Sequence, residues 1–191
     1  MKILFVGNSF TYFNDMPKLF QSLAYTIDPS IKVEQLAFGG YYLHQYADFE
    51  SDKGKLFLEK LHEEEWDVVV LQDQSFNPAK DYEDFFAASK KLCAQIRMIG
   101  AKPVFYQTWA YQDGSEKLKS TGLAYDEMYM KLENAYQDAA KQLETIAVPV
   151  GRAFYQISKK NSNVSLFISD DYHPSREGSL VAASLFLNFL L

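Results

Sequence analysis

Two short segments at opposite ends of the chain carry side chains that could do chemistry together. Near the start, Gly7-Asn8-Ser9-Phe10-Thr11 places a hydroxyl just after an apolar run, and near the end Asp170-Asp171-Tyr172-His173 places a carboxylate three residues before an imidazole. A serine, a histidine and an acid are what nucleophilic acyl transfer requires: the imidazole takes the hydroxyl proton and the acid orients the imidazole. On a loop or a first helical turn, the three-residue spacing lets Asp170 reach Nδ1–H of His173 and leaves Nε2 free for Ser9. Each segment also has a plainer reading, with Ser9 capping the first helix and Asp170 or Asp171 capping a helix that begins at Pro174. Gly7 shifts the balance, because it permits a tight turn that brings the hydroxyl to backbone N–H groups able to stabilise developing negative charge.

These residues need a frame that brings residue 9 to residue 173. Five short apolar runs, Ile3–Val6, Ile31–Leu36, Asp67–Leu71, Pro103–Tyr106 and Thr145–Val150, read as strands of a mostly buried sheet. Between and after them, apolar residues at three- and four-residue spacing predict helices over Met16–Ile27, Lys53–Glu64, Tyr82–Ile99, Tyr125–Leu143 and Ser175–Leu190. Asn14-Asp15 is placed to cap the first, Gly100 to end the third, and Pro174 to sit just inside the last. Alternating strands and helices imply crossover connections and a parallel sheet. Right-handed crossovers then favour an α/β three-layer α/β/α sandwich with a flavodoxin-like five-stranded parallel sheet in the order 2-1-3-4-5.

In such a sheet, ligands bind outside the carboxyl ends of the strands. Ser9, Gly39-Gly40, Gln72-Asp73-Gln74-Ser75 and Thr108-Trp109 follow strands one to four, so they should converge on one edge, with the polar segment Ala110–Thr121 looping over it. Donors for an oxyanion could come from the backbone N–H groups of Ser9 and Gly40 and from the side-chain amide of Gln74 or Gln72. Tyr41, Tyr42, His44, Trp109 and Tyr111 fall on the same edge, and aromatic platforms with polar tips suit sugar rings.

Taken in order, Gly7-Asn8-Ser9-Phe10-Thr11, Gly40, Gln72-Asp73-Gln74-Ser75 and Asp170-x-x-His173 resemble the four sequence blocks of the SGNH (GDSL-like) hydrolase superfamily. Gly-Asn-Ser stands where that family usually has Gly-Asp-Ser, and Gln72-Asp73-Gln74-Ser75 stands where it has Gly-x-Asn-Asp. The resemblance implies Ser9 as nucleophile, His173 as base, Asp170 as orienting acid, and Ser9, Gly40 and Gln74 as the oxyanion hole. It also implies ester hydrolysis without a metal or other cofactor. Gln72, Trp109, Tyr41 and His44 are the expected substrate-binding residues, and a small acyl ester, an acetylated sugar first, is the expected substrate. Two alternatives stand beside this reading: a non-catalytic small-molecule or carbohydrate-binding module on the same fold, and an esterase directed at lipids or thioesters.

The 191 residues fit one domain spanning 1–191. A net charge of −6, with acids and bases interspersed, makes nucleic acid and anionic membrane poor partners. The single cysteine, Cys93, excludes an internal disulfide and lies in a helical apolar setting that suits an inert core thiol. One lysine before a five-residue apolar run is too little for a secretory signal, so the chain reads as cytoplasmic. No Gly-x-Gly-x-x-Gly or P-loop follows the first strand, which argues against a nucleotide or flavin binder.

Overall fold

The computed structural model describes residues 1–160 and 163–191. Strands β1 (Lys2–Gly7), β2 (Lys32–Ala37), β3 (Val68–Leu71), β4 (Lys102–Tyr106) and β5 (Ile146–Val148) form one sheet in the order β2-β1-β3-β4-β5. All pairings are parallel, with Val6 opposite Leu36 on one side and Leu71 on the other. The sandwich and strand order expected from the sequence are the ones found. β3 is buried along its whole length, as a central strand of a covered parallel sheet must be.

Helices cover both faces. Successive residues of β4 show how: Tyr106 packs on Phe186 of α10 (Arg176–Leu190), with ring centroids 4.9 Å apart. Phe105 points the other way, to Phe85 of α6 (Tyr82–Met98) at 5.7 Å and Tyr136 of α8 (Tyr125–Gln142) at 6.1 Å. On the first face, α10 packs against α2 (Met16–Ala24), and Phe5 of β1 meets Phe20 and Phe186 there. Side chains that alternate along a strand thus serve two separate cores. Cys93 is fully buried on α6, where burial raises its thiol pKa to about 12 and keeps it from being a nucleophile. No helix among the described residues is long and apolar enough to cross a membrane.

The shorter elements differ from the sequence expectation where they approach the strand ends. Pro149 follows Val148 and breaks the fifth strand, so Val150, expected within it, opens α9 (Val150–Lys159). The first strand leads into α1 (Ser9–Tyr12) and a 3-10 turn, Phe13–Asp15, before α2 begins. Neither Asn14 nor Asp15 caps α2 through its side chain, and both take positive φ, 54° and 53°. Asn14 instead donates from Nδ2 to Pro174 O, Ser175 O and Ser179 Oγ, lashing the start of the chain to its end. Pro174 lies before α10 rather than within it: it bridges to Phe167, and Ser175 caps the helix by accepting from Gly178 N. Segment 110–121, expected as irregular loop, contains the short α7 (Glu116–Lys119).

Gly7 ends β1 where there is little room for a side chain. A Cβ there would lie 2.5 Å from Thr11 Oγ1 and 2.6 Å from Gln72 Oε1, both well inside contact distance. Gly7→Ala should therefore cost about 1–3 kcal/mol by overpacking. Urea unfolding reads this directly, and an unchanged midpoint would mean that the space is free.

Candidate active site

Ser9 is the first residue of α1, which places its backbone N–H among the first-turn amides that have no acceptor within the helix. The cap is Asn8, not Ser9: Asn8 Oδ1 accepts from Phe10 N at 3.1 Å, which leaves the Ser9 hydroxyl free. That hydroxyl lies 2.7 Å from Nε2 of His173, and Nδ1 of the same ring lies 2.6 Å from Asp170 Oδ2. Asp170 also accepts, through Oδ1, from the backbone N–H groups of His173 (3.0 Å) and Tyr172 (3.2 Å). Burial pushes the Asp170 carboxyl up, but the ring and backbone hydrogen bonds from His173 and Tyr172 outweigh it and hold the group below the ordinary carboxylate range. An ionised Asp170 can only accept, so Nδ1 of His173 carries its proton there and Nε2 is left as the acceptor facing Ser9.

The histidine is held by rings. Its imidazole stacks on Phe13 at 4.2 Å and 8°, lies 4.1 Å from Tyr172, and takes the edge of Phe10 at 5.6 Å. Behind this layer, Trp109 stacks between Phe10 and Phe154, at 4.3 Å from each, and donates Nε1–H to Tyr172 O at 3.0 Å. Trp109 is buried and does not line the cavity. It supports the His173 loop instead of presenting a face to substrate.

The cavity itself holds about 280 Å³ and is lined by Ser9, His173, Gly39, Gly40 and Gln74, with Tyr12, Phe13, Tyr172 and Lys117 around them. Gly40 turns with φ of 72°, a conformation for which glycine is suited. Gln74 curls back on its own turn, with Nε2 donating to Ser75 Oγ at 3.1 Å and Oε1 accepting from Phe76 N at 3.0 Å. The Gln74 side chain also hydrogen-bonds the Tyr111 hydroxyl.

Three other expected binding residues are elsewhere. Gln72 is fully buried: Oε1 accepts from Asn8 N (3.0 Å) and from Thr11 Oγ1 (2.8 Å), and Nε2 donates to Asp73 O. It reaches beneath Gly7 and cannot meet a substrate. His44 pairs through Nδ1 with Asp84 Oδ2 at 2.8 Å and lines a different cavity of about 520 Å³. Tyr41 packs its ring on Phe38 and Tyr46, outside the Ser9 cavity, and contributes through its backbone carbonyl, which accepts from Asn8 Nδ2 at 2.7 Å. The aromatic lining at Tyr12, Phe13 and Tyr172 went unread in the sequence, although each lies within four residues of Ser9 or His173. Among the described residues, no three His, Cys, Asp or Glu side chains are grouped to hold a metal ion.

The whole chain superposes on the structure of a "putative SGNH hydrolase from Slackia heliotrinireducens", with TM-score 0.90, 30% identity, and coverage of 100% of this chain and 99% of that one. The chain belongs to the SGNH hydrolases. Within that fold it also matches a DUF4886 family protein from Bacteroides uniformis ATCC 8492, at TM-score 0.75 and 20% identity over 98% of this chain and 82% of the other. A catalytic mutant of Axe2, an acetylxylan esterase from Geobacillus stearothermophilus, matches at TM-score 0.71 and 15% identity over 98% and 92%. No protein-family model matches the sequence, and no curated protein does.

For an SGNH hydrolase, the Asn8 amide has a use that a carboxylate could not serve. It accepts from Phe10 N and donates to Tyr41 O, tying the serine turn to the Gly40 loop. Asn8→Asp would set a carboxylate against that carbonyl and leave a poorly paired charge in a buried site, so it should destabilise the fold by about 1–3 kcal/mol, read by urea unfolding at pH 7. Wild-type stability in this variant would mean that the Asn8–Tyr41 bond is dispensable.

Asp73 gives a second test. Burial raises its carboxyl to about 6, with hydrogen bonds from Leu43 N, Asn77 and Gln74 N working against the rise. Its folded pKa lies above the unfolded value near 3.9, so the native state binds the extra proton between about pH 4 and 6 and stability from this group falls as pH rises through that window. Asp73→Asn does not titrate, and the other carboxylates titrate in both proteins. The wild-type advantage over Asp73→Asn should therefore be larger at pH 4.5 than at pH 7, and a difference that does not vary with pH would show Asp73 ionised throughout.

Proposed function

We propose that this chain, one domain over residues 1–191, is a serine esterase that hydrolyses small acyl esters, acetyl esters of carbohydrates first among them. The observation that carries the reading is the relay Ser9 Oγ to His173 Nε2 at 2.7 Å and His173 Nδ1 to Asp170 Oδ2 at 2.6 Å, opening on a cavity with amide donors. His173 removes the Ser9 proton as Ser9 Oγ attacks the ester carbonyl, and the negative charge collects on the carbonyl oxygen. The N–H groups of Ser9 and Gly40 and the side-chain amide of Gln74, turned from its partners Ser75 and Tyr111, take that charge. His173 then returns the proton to the leaving alcohol. Water, deprotonated by His173, repeats the attack on the acyl-enzyme and frees the acid.

The cavity supports this choice of substrate class. Its volume of about 280 Å³ suits a short acyl group, and Tyr12, Phe13 and Tyr172 offer ring faces and hydroxyls of the kind that bind sugars. The acetylxylan esterase of the same fold is consistent with this choice.

Purified protein should hydrolyse p-nitrophenyl acetate far faster than the octanoate and should be labelled by a fluorophosphonate. Ser9→Ala and His173→Ala should each lower kcat by on the order of 10⁴-fold or more, as expected when members of one catalytic unit are removed. Ser9→Ala should also abolish labelling. Equal hydrolysis and labelling in all three proteins would end the esterase reading, and faster turnover of the octanoate would end the short-acyl assignment.

A further inference from the structure

The two arms that offer amide donors to the cavity, the Gly40 loop and the turn at Gln74, leave different strands and have no backbone pairing with each other. One side chain joins them. Asp73, fully buried after β3, accepts through Oδ1 from the backbone N–H of Leu43 and from the backbone N–H of Gln74, each at 2.7 Å. Its other oxygen accepts from Asn77 Nδ2 at 2.9 Å. The same Asn77 nitrogen is 2.9 Å from Asp84 Oδ2, which pairs with His44. With both oxygens engaged, the Asp73 carboxylate is fixed against rotation.

We propose that Asp73 is a positioning residue of the oxyanion hole, whose Oδ1 sets the Gly40 amide in register with the Gln74 amide. The inference rests on the esterase reading, which makes those two groups donors to the oxyanion.

Three features point this way. First, three N–H donors converge on one group, and an acceptor-only carboxylate satisfies all of them with charge-assisted bonds, which an amide or hydroxyl does less well. Second, the place is costly for a carboxylate, since it must leave water to reach it. Capping the short helix α3 (Leu43–Ala47) through Leu43 N accounts for one of the two bonds to Oδ1, but the bond to Gln74 N belongs to no helix end. Third, the chain between Leu43 and Gly40 is itself restrained. Tyr42 N donates to Gln45 Oε1 at 2.9 Å, Tyr41 O accepts from Asn8 Nδ2, and Tyr41 N bonds Phe38 O at 3.2 Å. A shift of Leu43 is therefore passed to Gly40, and a misplacement of about 1 Å in a catalytic constellation can cost on the order of 10²-fold in rate.

The test compares wild type, Asp73→Ala and Asp73→Asn in kcat and KM on p-nitrophenyl acetate. Phenylboronic acid, which forms a tetrahedral adduct on an activated serine, serves as inhibitor. Asp73→Ala should lose kcat by about 10²-fold, the scale of a lost oxyanion donor, with KM within about threefold of wild type. Asp73→Asn keeps an oxygen for the two backbone N–H groups but turns an amide on Asn77, so its kcat should fall by about 5- to 10-fold. Phenylboronic acid should weaken in step with kcat in each variant.

If Asp73→Ala does not fold, Asp73→Asn carries the test alone. Either variant, folded and with wild-type kcat and boronate affinity, overturns the proposal while the esterase reading stands. A loss that appears in KM and not in kcat overturns it as well. A wild-type protein inactive on the acetate and blind to fluorophosphonate removes the esterase reading, and the positioning role falls with it.

Discussion

The side-chain amide of Gln72 is the point on which the geometry around Ser9 depends. Its Oε1 takes two buried donors, Asn8 N and the Thr11 hydroxyl, while Gln72 N continues the β1–β3 ladder to Val6 O at 2.9 Å. One residue thus joins the end of the first strand, the first turn of α1 and the end of the third strand. Removing it would orphan two buried donors at once, each costing about 1–3 kcal/mol, and would unfasten the turn that aims Ser9. The space it fills is the space Gly7 leaves. A side chain at 72 and none at 7 are two halves of one packing solution.

The two ends of the Ser9–His173 pair are supported by different physics. Ser9 stands at a strand end, where backbone ladders and buried hydrogen bonds fix its position. His173 lies on a loop that belongs to no strand, so its orientation comes from ring stacking on Phe13, Phe10 and Tyr172 and from the Trp109 and Phe154 layer beneath. The Asn14 amide closes the assembly by holding Pro174 O, Ser175 O and Ser179 Oγ. Because Asn14 follows Ser9 by five residues, the segment that carries the hydroxyl also anchors the segment that carries the imidazole.

What was legible in the sequence was what depends on period and order. Apolar runs separated by amphipathic stretches gave away the parallel sheet, and crossover handedness its strand order. That Ser9, Asp170 and His173 would meet could be anticipated because histidine is scarce in this chain and the strand order brings the chain's two ends to one edge. Direction was harder to read. Gln72 and Asp73 are adjacent, yet one side chain reaches Asn8 after β1 and the other Leu43 after β2. Trp109 and His44 follow strands that end at the right edge, but Trp109 is buried in the core and His44 lines a second cavity. Proximity in sequence to a strand end sets where the backbone goes, and only packing decides where a ring points. The helix at Val150–Lys159 was hidden for a related reason, because Thr145–Val150 reads as one β-branched run until Pro149 is given its weight.

The departures from the usual blocks make sense together. An asparagine at position 8 donates to Tyr41 O where an aspartate could not, so the Gly40 loop is tied from one side by a neutral amide. From the other side it is tied by Asp73 through Leu43 N. Gln74 has one methylene more than an asparagine, but its bonds to Ser75 Oγ and Phe76 N fold the arm back on its own turn and shorten its reach. A longer side chain held in a curl can present an amide hydrogen at the depth of a shorter one left extended. With an amide at position 8 and a carboxylate at position 73, one acid stands in the seam between the first three strand ends. That acid accepts from Leu43 N and Gln74 N and so joins the Gly40 loop to the turn after β3.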